Sequence, residues 1–392
     1  MISTAEALEK VVALATPMPA ETVSLAEASG RVLAKPVIAA HAQPPFAASA
    51  MDGYAIADRT PKIEDTFNVV GTSAAGHGFD GSVANSEAVR IFTGAPVPPG
   101  TARVILQEDV AREGDTITMT GAAEGGTHIR PAGGDFKPGD TLDAPRRLSP
   151  SDIALAASMG SAALSVSKKP VVALIATGDE LVMPGETPRA DQIIASNTFG
   201  LKAMLENAGA TARLMPIAKD TVQSLTTVLE MAADADLIVT IGGASVGDHD
   251  LVGDVAAEMG LERAFYKVAM RPGKPLLAGR MGTAAMVGLP GNPVSSMVCG
   301  EIFLRPLIDK MLGLPAGPRT RHRATLSQPI AANAGREHYM RAIWSDCDNT
   351  VKPFERQDSS LLTVLARANA LLIRPPHDPA REAGEAVDII RL

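Results

Sequence analysis

Aromatic residues make up only 3% of this 392-residue chain. So few flat side chains leave little for the base-stacking platforms that single-stranded nucleic-acid binders use. Cysteine is scarcer still: Cys299 and Cys347 are the only two, far apart and without CxxC or CxxH spacing. That speaks against a zinc site or a disulfide framework and predicts two isolated buried thiols. No Lys/Arg run occurs, and the net charge of −8 argues against a broad nucleic-acid surface. No apolar stretch approaches the ~20 residues that a membrane span needs. The amino terminus, Met1-Ile2-Ser3-Thr4-Ala5-Glu6, lacks a basic region and an apolar run. A cytoplasmic soluble enzyme, with no nucleic-acid and no membrane partner, is therefore expected. Two phosphate-binding signatures are also missing, the Walker A motif and Gly-x-Gly-x-x-Gly, which demotes ordinary NTPase and dinucleotide readings.

What is present is a soluble globular composition, 46% hydrophobic and 20% charged, in a chain long enough for two to four domains. Ser3–Leu14 reads as a helix with Ser3 or Thr4 as its cap and Ala7, Leu8, Val11 and Val12 on one face. From Ala42 to about Leu142, short alternating runs such as Phe67–Val70, Ala88–Phe92, Arg103–Gln107 and Thr116–Thr120 predict a β-rich module. Ser149–Met159 reads as a helix opened by Ser-Pro-Ser-Asp and closed at Gly160. From Pro170 the texture becomes strand, helix, strand, helix, the mark of an α/β parallel sheet. Expected strands are Val171–Ala176, Leu214–Ala218 and Leu237–Ile241; expected helices are one capped by Asn197 through Ala208 and one capped by Asp220 over Val222–Ala233. Met311–Thr320 reads as a linker, and Arg321–Leu392 as short strands of a small β-barrel.

Three glycine-loop segments fall in the α/β third: Thr177-Gly178-Asp179-Glu180-Leu181, Ile241-Gly242-Gly243-Ala244-Ser245-Val246-Gly247 and Gly288-Leu289-Pro290-Gly291-Asn292-Pro293. Each follows an apolar run of strand length, and in an open parallel sheet such loops gather at the carboxyl edge, where ligands bind. Glycine allows close approach to an anion, and free N–H groups supply positive potential. Asp179, Glu180 and Asp250 beside these loops would repel a bare phosphate, which suggests a divalent cation between them. A phosphorylated ligand held with a metal is the first hypothesis.

Each motif also has a plainer explanation. Taken alone, Gly242–Gly247 is accounted for about as well by a tight turn as by ligand binding; Ser245, Asp248, His249 and Asp250 tip the balance towards a site. His249 by itself reads as a solvated loop residue. Arg271-Pro272-Gly273-Lys274-Pro275 is either an exposed turn or a phosphate clamp, with Arg271 forking and Lys274 acting as a point charge. Met51-Asp52-Gly53-Tyr54-Ala55 and Thr93-Gly94-Ala95-Pro96, by physics alone, read as turns.

Taken together and in order, these segments resemble one family, the molybdopterin molybdenumtransferases or bacterial MoeA proteins, which are related to the E domain of gephyrin. Further matching pieces are Gln107-Glu108, Arg130-x-x-Gly133-x-Asp135, Ser196-Asn197, Gly335-Arg336 with Arg341, and Leu365-Ala366-x-Ala368-Asn369-Ala370. The resemblance spans nearly the whole chain. It implies a multidomain α/β plus β fold: an elongated domain over 1–41 and 139–169, an inserted β-rich domain over 42–138, an α/β molybdopterin-binding domain over 170–314 and a β-barrel over 315–392. The first helix is a candidate to pack on the α/β domain.

The resemblance also implies a homodimer whose cleft faces the partner's β-rich domain. The implied reaction inserts molybdate into adenylylated molybdopterin with release of AMP and needs Mg2+. Exchange with the molybdopterin adenylyltransferase and with molybdoenzyme apoproteins would follow. By similarity, Glu180 and Asp250 would hold the metal or orient the attacking oxygen. Lys274 and Arg271 would neutralise phosphate or molybdate, and Asp52, Thr93 and Asp135 would act from the other subunit. Gly178, Asp179, Asp220, Gly242, Gly243, Ser245, Gly247, Pro290, Gly291, Asn292, Pro293 and Ser359 would line the ligand site. Departures from the family pattern are Arg271 for a usual lysine, Val252 where a lysine often stands, and Asp358-Ser359 for Gly-Ser. The alternatives are a non-catalytic scaffold, against which the intact Asp52, Glu180, Asp250 and Lys274 weigh, and the adenylyltransferase, which resembles the α/β part alone.

Overall fold

The computed structural model describes residues 1–123, 125–243 and 251–392. Ser245, Gly247, Asp248, His249 and Asp250 thus lie outside the described residues. The first helix, Thr4–Val12, is capped by Ser3, whose hydroxyl accepts from the Glu6 amide. Its buried face, Ala7, Leu8 and Val11, enters the apolar core of the α/β region. Ala20–Ser24 then pairs antiparallel with Ala163–Ser167, and Val32–Leu33 and Arg146–Arg147 complete that four-stranded sheet. Between its halves runs the β-rich part, a six-stranded sheet in the order Arg103–Leu106, Gly53–Ile56, Glu87–Ile91, Thr66–Ser73, Thr116–Met119, Val110–Glu113. The helix Pro150–Ser158 starts as expected, with Ser149 and Asp152 forming a reciprocal capping box.

The central sheet has the order Thr211–Leu214, Val171–Ala176, Leu237–Ile241, Ala284–Leu289, Leu277–Met281, Leu261–Tyr266. The first four strands are parallel; Leu277–Met281 runs antiparallel between the fourth and the edge strand Leu261–Tyr266, and neither of these two was foreseen from the sequence. Its three central parallel strands are apolar on both faces because both faces are covered. Val172, Leu174, Leu237, Val239 and Ile241 face one core, and Ala173, Ile175 and Ile238 face the other, the two-residue period of a strand.

Four sequence expectations differ from the structure. The strand after the helix Asn197–Asn207 is Thr211–Leu214 rather than Leu214–Ala218. Pro216 has no N–H to give to a ladder, and past it only an isolated bridge joins Thr177 to Ala218. Asn197 is not the cap of its helix, because Ser196 occupies that position and the Asn197 amide instead donates to Gly291 O at 2.7 Å. Nor is Asp220 a cap; Thr221 fills that role, accepting from the Ser224 amide. Cys299 is buried as expected, but Cys347 is exposed.

After the third glycine loop, Pro293–Cys299 is α-helical, Gly300–Leu304 widens into a π turn, and Arg305–Met311 resumes the α form. Pro306 removes one backbone donor, and the Arg305 amide reaches back five residues to Gly300 O. The carboxyl-terminal part is the expected barrel. Glu337–Ser345, Thr350–Pro353, His322–Leu326, Ala386–Arg391 and Ala370–Arg374 pair in turn, and the last closes on the first. Met270–Arg271 adds to it as a sixth, parallel strand, setting Arg271 opposite His338. Among the described residues no helix is long and apolar enough to cross a membrane.

Phe303 sits fully buried where the π turn meets the α/β core. Phe303→Ala should cost about 3–5 kcal/mol of stability in urea titration, the range for truncating a buried phenylalanine. A loss below about 1 kcal/mol would mean that this helix is not anchored by its π turn.

Candidate functional site

The carboxyl ends of the parallel strands open into a cleft of about 920 Å³. Its floor is backbone from the three glycine loops: Thr177 and Gly178, Gly242 and Gly243, Gly291 to Pro293. The loops are held edge to edge, since the Thr177 amide donates to Ile241 O at 3.0 Å and the Gly242 amide to Leu289 O at 3.1 Å. Gly242 has φ +97°, and a Cβ there would lie 2.7 Å from Thr177 O. Only glycine satisfies both that left-handed conformation and that approach. Pro290 is buried directly behind the floor.

Carboxylates occupy one side. Glu180 and Asp220 line the cleft, and Asp179 is bonded to Asp220 through that residue's amide at 3.3 Å. Asp254, on the helix Leu251–Glu258, joins the lining and was not anticipated. Its spacing four residues after Asp250 on a helical run is the signal that could have found it. Among the described residues no three potential metal ligands cluster. Val252, where a lysine was expected by resemblance, is buried in the core, and a Cβ added to Gly243 would strike its side chain.

Beyond the cleft, the 358–360 loop leads to cations, none of which is itself among the described residues that line it. Ser360, rather than Ser359, lines the cleft; Ser359 O accepts from the Val294 amide at 3.0 Å, fastening the 358–360 loop to the third glycine loop. Asp358 O accepts from Arg341 Nη2 at 3.3 Å, while its carboxylate accepts from the Ser360 hydroxyl and amide. Those two bonds, the hydroxyl first, hold the Asp358 carboxyl below the usual carboxylate range. Arg341 is fully buried, and its Nε has no partner among the described residues. Burial, and then the nearby Arg271 charge, push its pKa down to about 10. His338, buried beside it, has an Nε2 with no partner among the described residues, and its pKa is lowered to about 3 by burial first and by Arg271, Arg341, Arg374 and Arg336 after it. Arg271 and Lys274 themselves are exposed on their Pro-Gly turn. Neither His338 nor Arg341 was named as a site residue from the sequence. The legible signal was two basic-type side chains, His338 and Arg341, inside a largely apolar barrel strand.

The β-rich sheet carries a separate polar group. Asp52 Oδ1 accepts from the Thr93 amide at 2.7 Å and from its hydroxyl at 2.8 Å. These bonds, the amide first, lower the Asp52 pKa. Arg90 stacks between Tyr54 and Phe92 and donates to Gln107 at 2.6 Å. Asp135 lies on another turn, its amide donating to Gln43 O. Asp52, Thr93 and Asp135 are not among the described residues that line the cleft of their own chain.

Comparison with known proteins matches three family descriptions in chain order. Residues 2–160 match the MoeA N-terminal region (domain I and II), 173–310 a probable molybdopterin binding domain, and 323–392 the MoeA C-terminal region (domain IV). The chain is similar to molybdopterin molybdenumtransferase 2 of Mycobacterium tuberculosis, 36% identical over 368 residues and covering 90% of both chains. It is also similar to the molybdopterin molybdenumtransferase of Haemophilus influenzae, 33% identical and covering 95% of this chain and 94% of that one. Among solved structures, a molybdopterin biosynthesis MoeA protein from Pyrococcus horikoshii aligns over 100% of both chains with a TM-score of 0.86 at 26% identity.

A histidine kept neutral by burial makes stability depend on pH. His338 has a folded pKa of about 3, below the 6.5 of a free imidazole. Between those values the unfolded chain binds a proton that the folded chain refuses, so stability falls as the pH drops below about 6.5. By about pH 5 the loss reaches roughly 2 kcal/mol at about 1.4 kcal/mol per unit. His338→Asn should therefore flatten the urea-unfolding profile between about pH 7 and about pH 5. Equal slopes in the two proteins would show that the folded state charges His338.

Proposed function

Because this chain belongs to the molybdopterin molybdenumtransferase family, the MoeA proteins, we propose that its cleft binds adenylylated molybdopterin on the glycine floor and molybdate beside the cations. It is a transferase of molybdenum cofactor biosynthesis. In the proposed reaction molybdate enters the dithiolene and the phosphoanhydride bond breaks, releasing AMP. The observation that carries this reading is one continuous path. Backbone donors floor the cleft, and the 358–360 loop joins them to a buried guanidinium whose Nε is unpartnered.

The residues divide the work by charge. Amides of the floor loops face the phosphates, where free N–H groups and close glycine backbone suit an anion. Arg341, Arg271 and Lys274 offset the oxyanion's charge, and Arg341 supplies a donor that no described residue uses. Neutral His338 can give an N–H to an oxygen without adding charge. Glu180, with Asp250, orients the incoming oxygen, and Asp179 holds the Asp220 turn in place.

The donor set suits magnesium in kind. Mg2+ takes hard oxygen ligands and is commonly held by one or two carboxylates plus substrate phosphates. Glu180 and Asp250 would hold it, with Asp220 and Asp254 lining the same wall. When bound, it would neutralise charge on the phosphates.

Asp52, Thr93 and Asp135 are proposed to complete the cleft of a second copy in a homodimer, since none lines the cleft of its own chain among the described residues. The rigid Asp52–Thr93 pair would present a fixed carboxylate there. The proposed setting is the cytoplasm, between the adenylyltransferase that makes the substrate and the apoenzymes that take the product. The proposed domain boundaries remain 1–41 with 139–169, 42–138, 170–314 and 315–392.

AMP release from adenylylated molybdopterin, measured with and without molybdate, tests the activity. Release that requires molybdate is expected; release indifferent to it would contradict the transfer reaction. Losing one charge-assisted contact is worth roughly 1.5–3 kcal/mol, about one to two decades. Arg341→Gln and Lys274→Ala should weaken molybdate by that order in calorimetric titration, and Arg271→Lys should be milder because charge survives. Unchanged molybdate affinity in both charge-removing variants would remove the cationic shelf from the mechanism. Mixing Asp52→Ala with Asp250→Asn chains should restore activity in heterodimers, whereas heterodimers that form and stay inactive would place the whole site within one chain.

A further inference from the structure

We propose that Leu181, Ile193 and Ile194 form an aliphatic slot for a planar heterocycle of the adenylylated ligand, an inference that rests on the cleft being the adenylate site. Leu181–Val182 and Ile193–Ile194 pair as two short parallel strands at the rim of the cleft. The pairing is fixed by the Ile193 amide on Glu180 O at 2.8 Å and the Ala195 amide on Val182 O at 2.9 Å. Glu180 therefore places its carboxylate in the cleft and carries the rim on its own carbonyl. All three residues line the cleft; Leu181 and Ile193 are register partners on one face of the pair, and Ile194 flanks them from the other. Ile193 is 58% exposed and Ile194 38%, and neither they nor Leu181 joins any buried apolar cluster among the described residues. Leu181 and Ile193, side by side beside a polar floor, with Ile194 next to them, form an apolar strip that none of the described residues buries.

The rest of the cleft says what would cover it. The described lining contains no aromatic side chain, so no stacking partner for a base is available elsewhere in it. The floor is largely glycine-loop backbone; of the other apolar lining residues Ala176, Ala195 and Ile241 are buried, and the carboxylates, serines and asparagines gain little by lying against the face of a ring. A volume of about 920 Å³ also exceeds what phosphates alone would fill. A flat, weakly hydrated ring face covering the isoleucines removes apolar surface from water on both partners. Adenine and pterin share that chemistry.

Ile193 is exposed enough for its substitution to leave the fold intact. Calorimetric titration of the full-length protein would compare AMP, ribose 5-phosphate, inorganic pyrophosphate and adenylylated molybdopterin. The double variant Ile193→Ala/Ile194→Ala should weaken AMP about ten-fold and leave ribose 5-phosphate and pyrophosphate unchanged. Ile193→Trp should tighten AMP several-fold, because a stacked indole replaces an aliphatic edge. If AMP is unaffected in the double variant while adenylylated molybdopterin weakens about ten-fold, the slot holds the pterin, and the inference stands. If neither ligand changes, it is overturned, and a loss of dimer in sedimentation would then give the strip to a second copy of the chain. Should the unaltered protein bind neither AMP nor the adenylylated ligand, the adenylate site itself fails, and this slot with it.

Discussion

The strand Leu237–Ile241 is buried along its length in the middle of the parallel sheet, and Gly242 follows it at φ +97° against Thr177 O. That contact sets how closely the first and second glycine loops can lie. The Gly242 amide on Leu289 O sets the third loop in turn. Because the strands pack on both faces, their ends cannot shift independently, and the floor of the cleft becomes a rigid row of backbone groups. A floor made of main chain is polar without being charged, which suits a ligand whose own charge is distributed over phosphates.

The charged groups then sort to either side of that floor. Carboxylates follow the first loop, while cations arrive from the barrel through the Met270–Arg271 strand and the 358–360 loop. Burying an arginine with an unused donor is costly, about 1–3 kcal/mol for an unsatisfied polar group and more for a charged one. On the proposed reading, a ligand oxyanion that reaches Arg341 Nε would relieve that cost at the moment of binding. This gives the barrel a reason to be part of the enzyme: its strand Glu337–Ser345 delivers both His338 and Arg341 to the shelf.

Much of this was legible in the residues. The β-rich module, the α/β alternation and the barrel follow from local periodicity, and the glycine loops fall where apolar runs end. Local pattern was insufficient where a residue's partner is distant in sequence. Asn197 looked like a cap because capping is the commonest local use of asparagine, but its amide goes to Gly291, 94 positions on. Strand Leu214–Ala218 failed because apolar content outweighed the missing donor of Pro216. The antiparallel strand Leu277–Met281, and with it the edge strand Leu261–Tyr266 that pairs on it, depends on a hairpin at Gly282 that periodicity alone does not orient. His338 and Arg341 were quoted or passed over as parts of a strand, since their role comes from a turn some seventy positions earlier in the chain, Arg271 pairing with His338.

The account's central claim is spatial: the molybdenum oxyanion sits by the barrel's cations, apart from the carboxylate wall and beyond the glycine floor. Crystals soaked in molybdate and measured at the molybdenum absorption edge would locate the metal directly by its anomalous signal. The account predicts one strong peak within hydrogen-bond reach of the Arg341 guanidinium, near Lys274 and Ser360. A peak confined to the glycine floor beside Glu180, with none at Arg341, would contradict it.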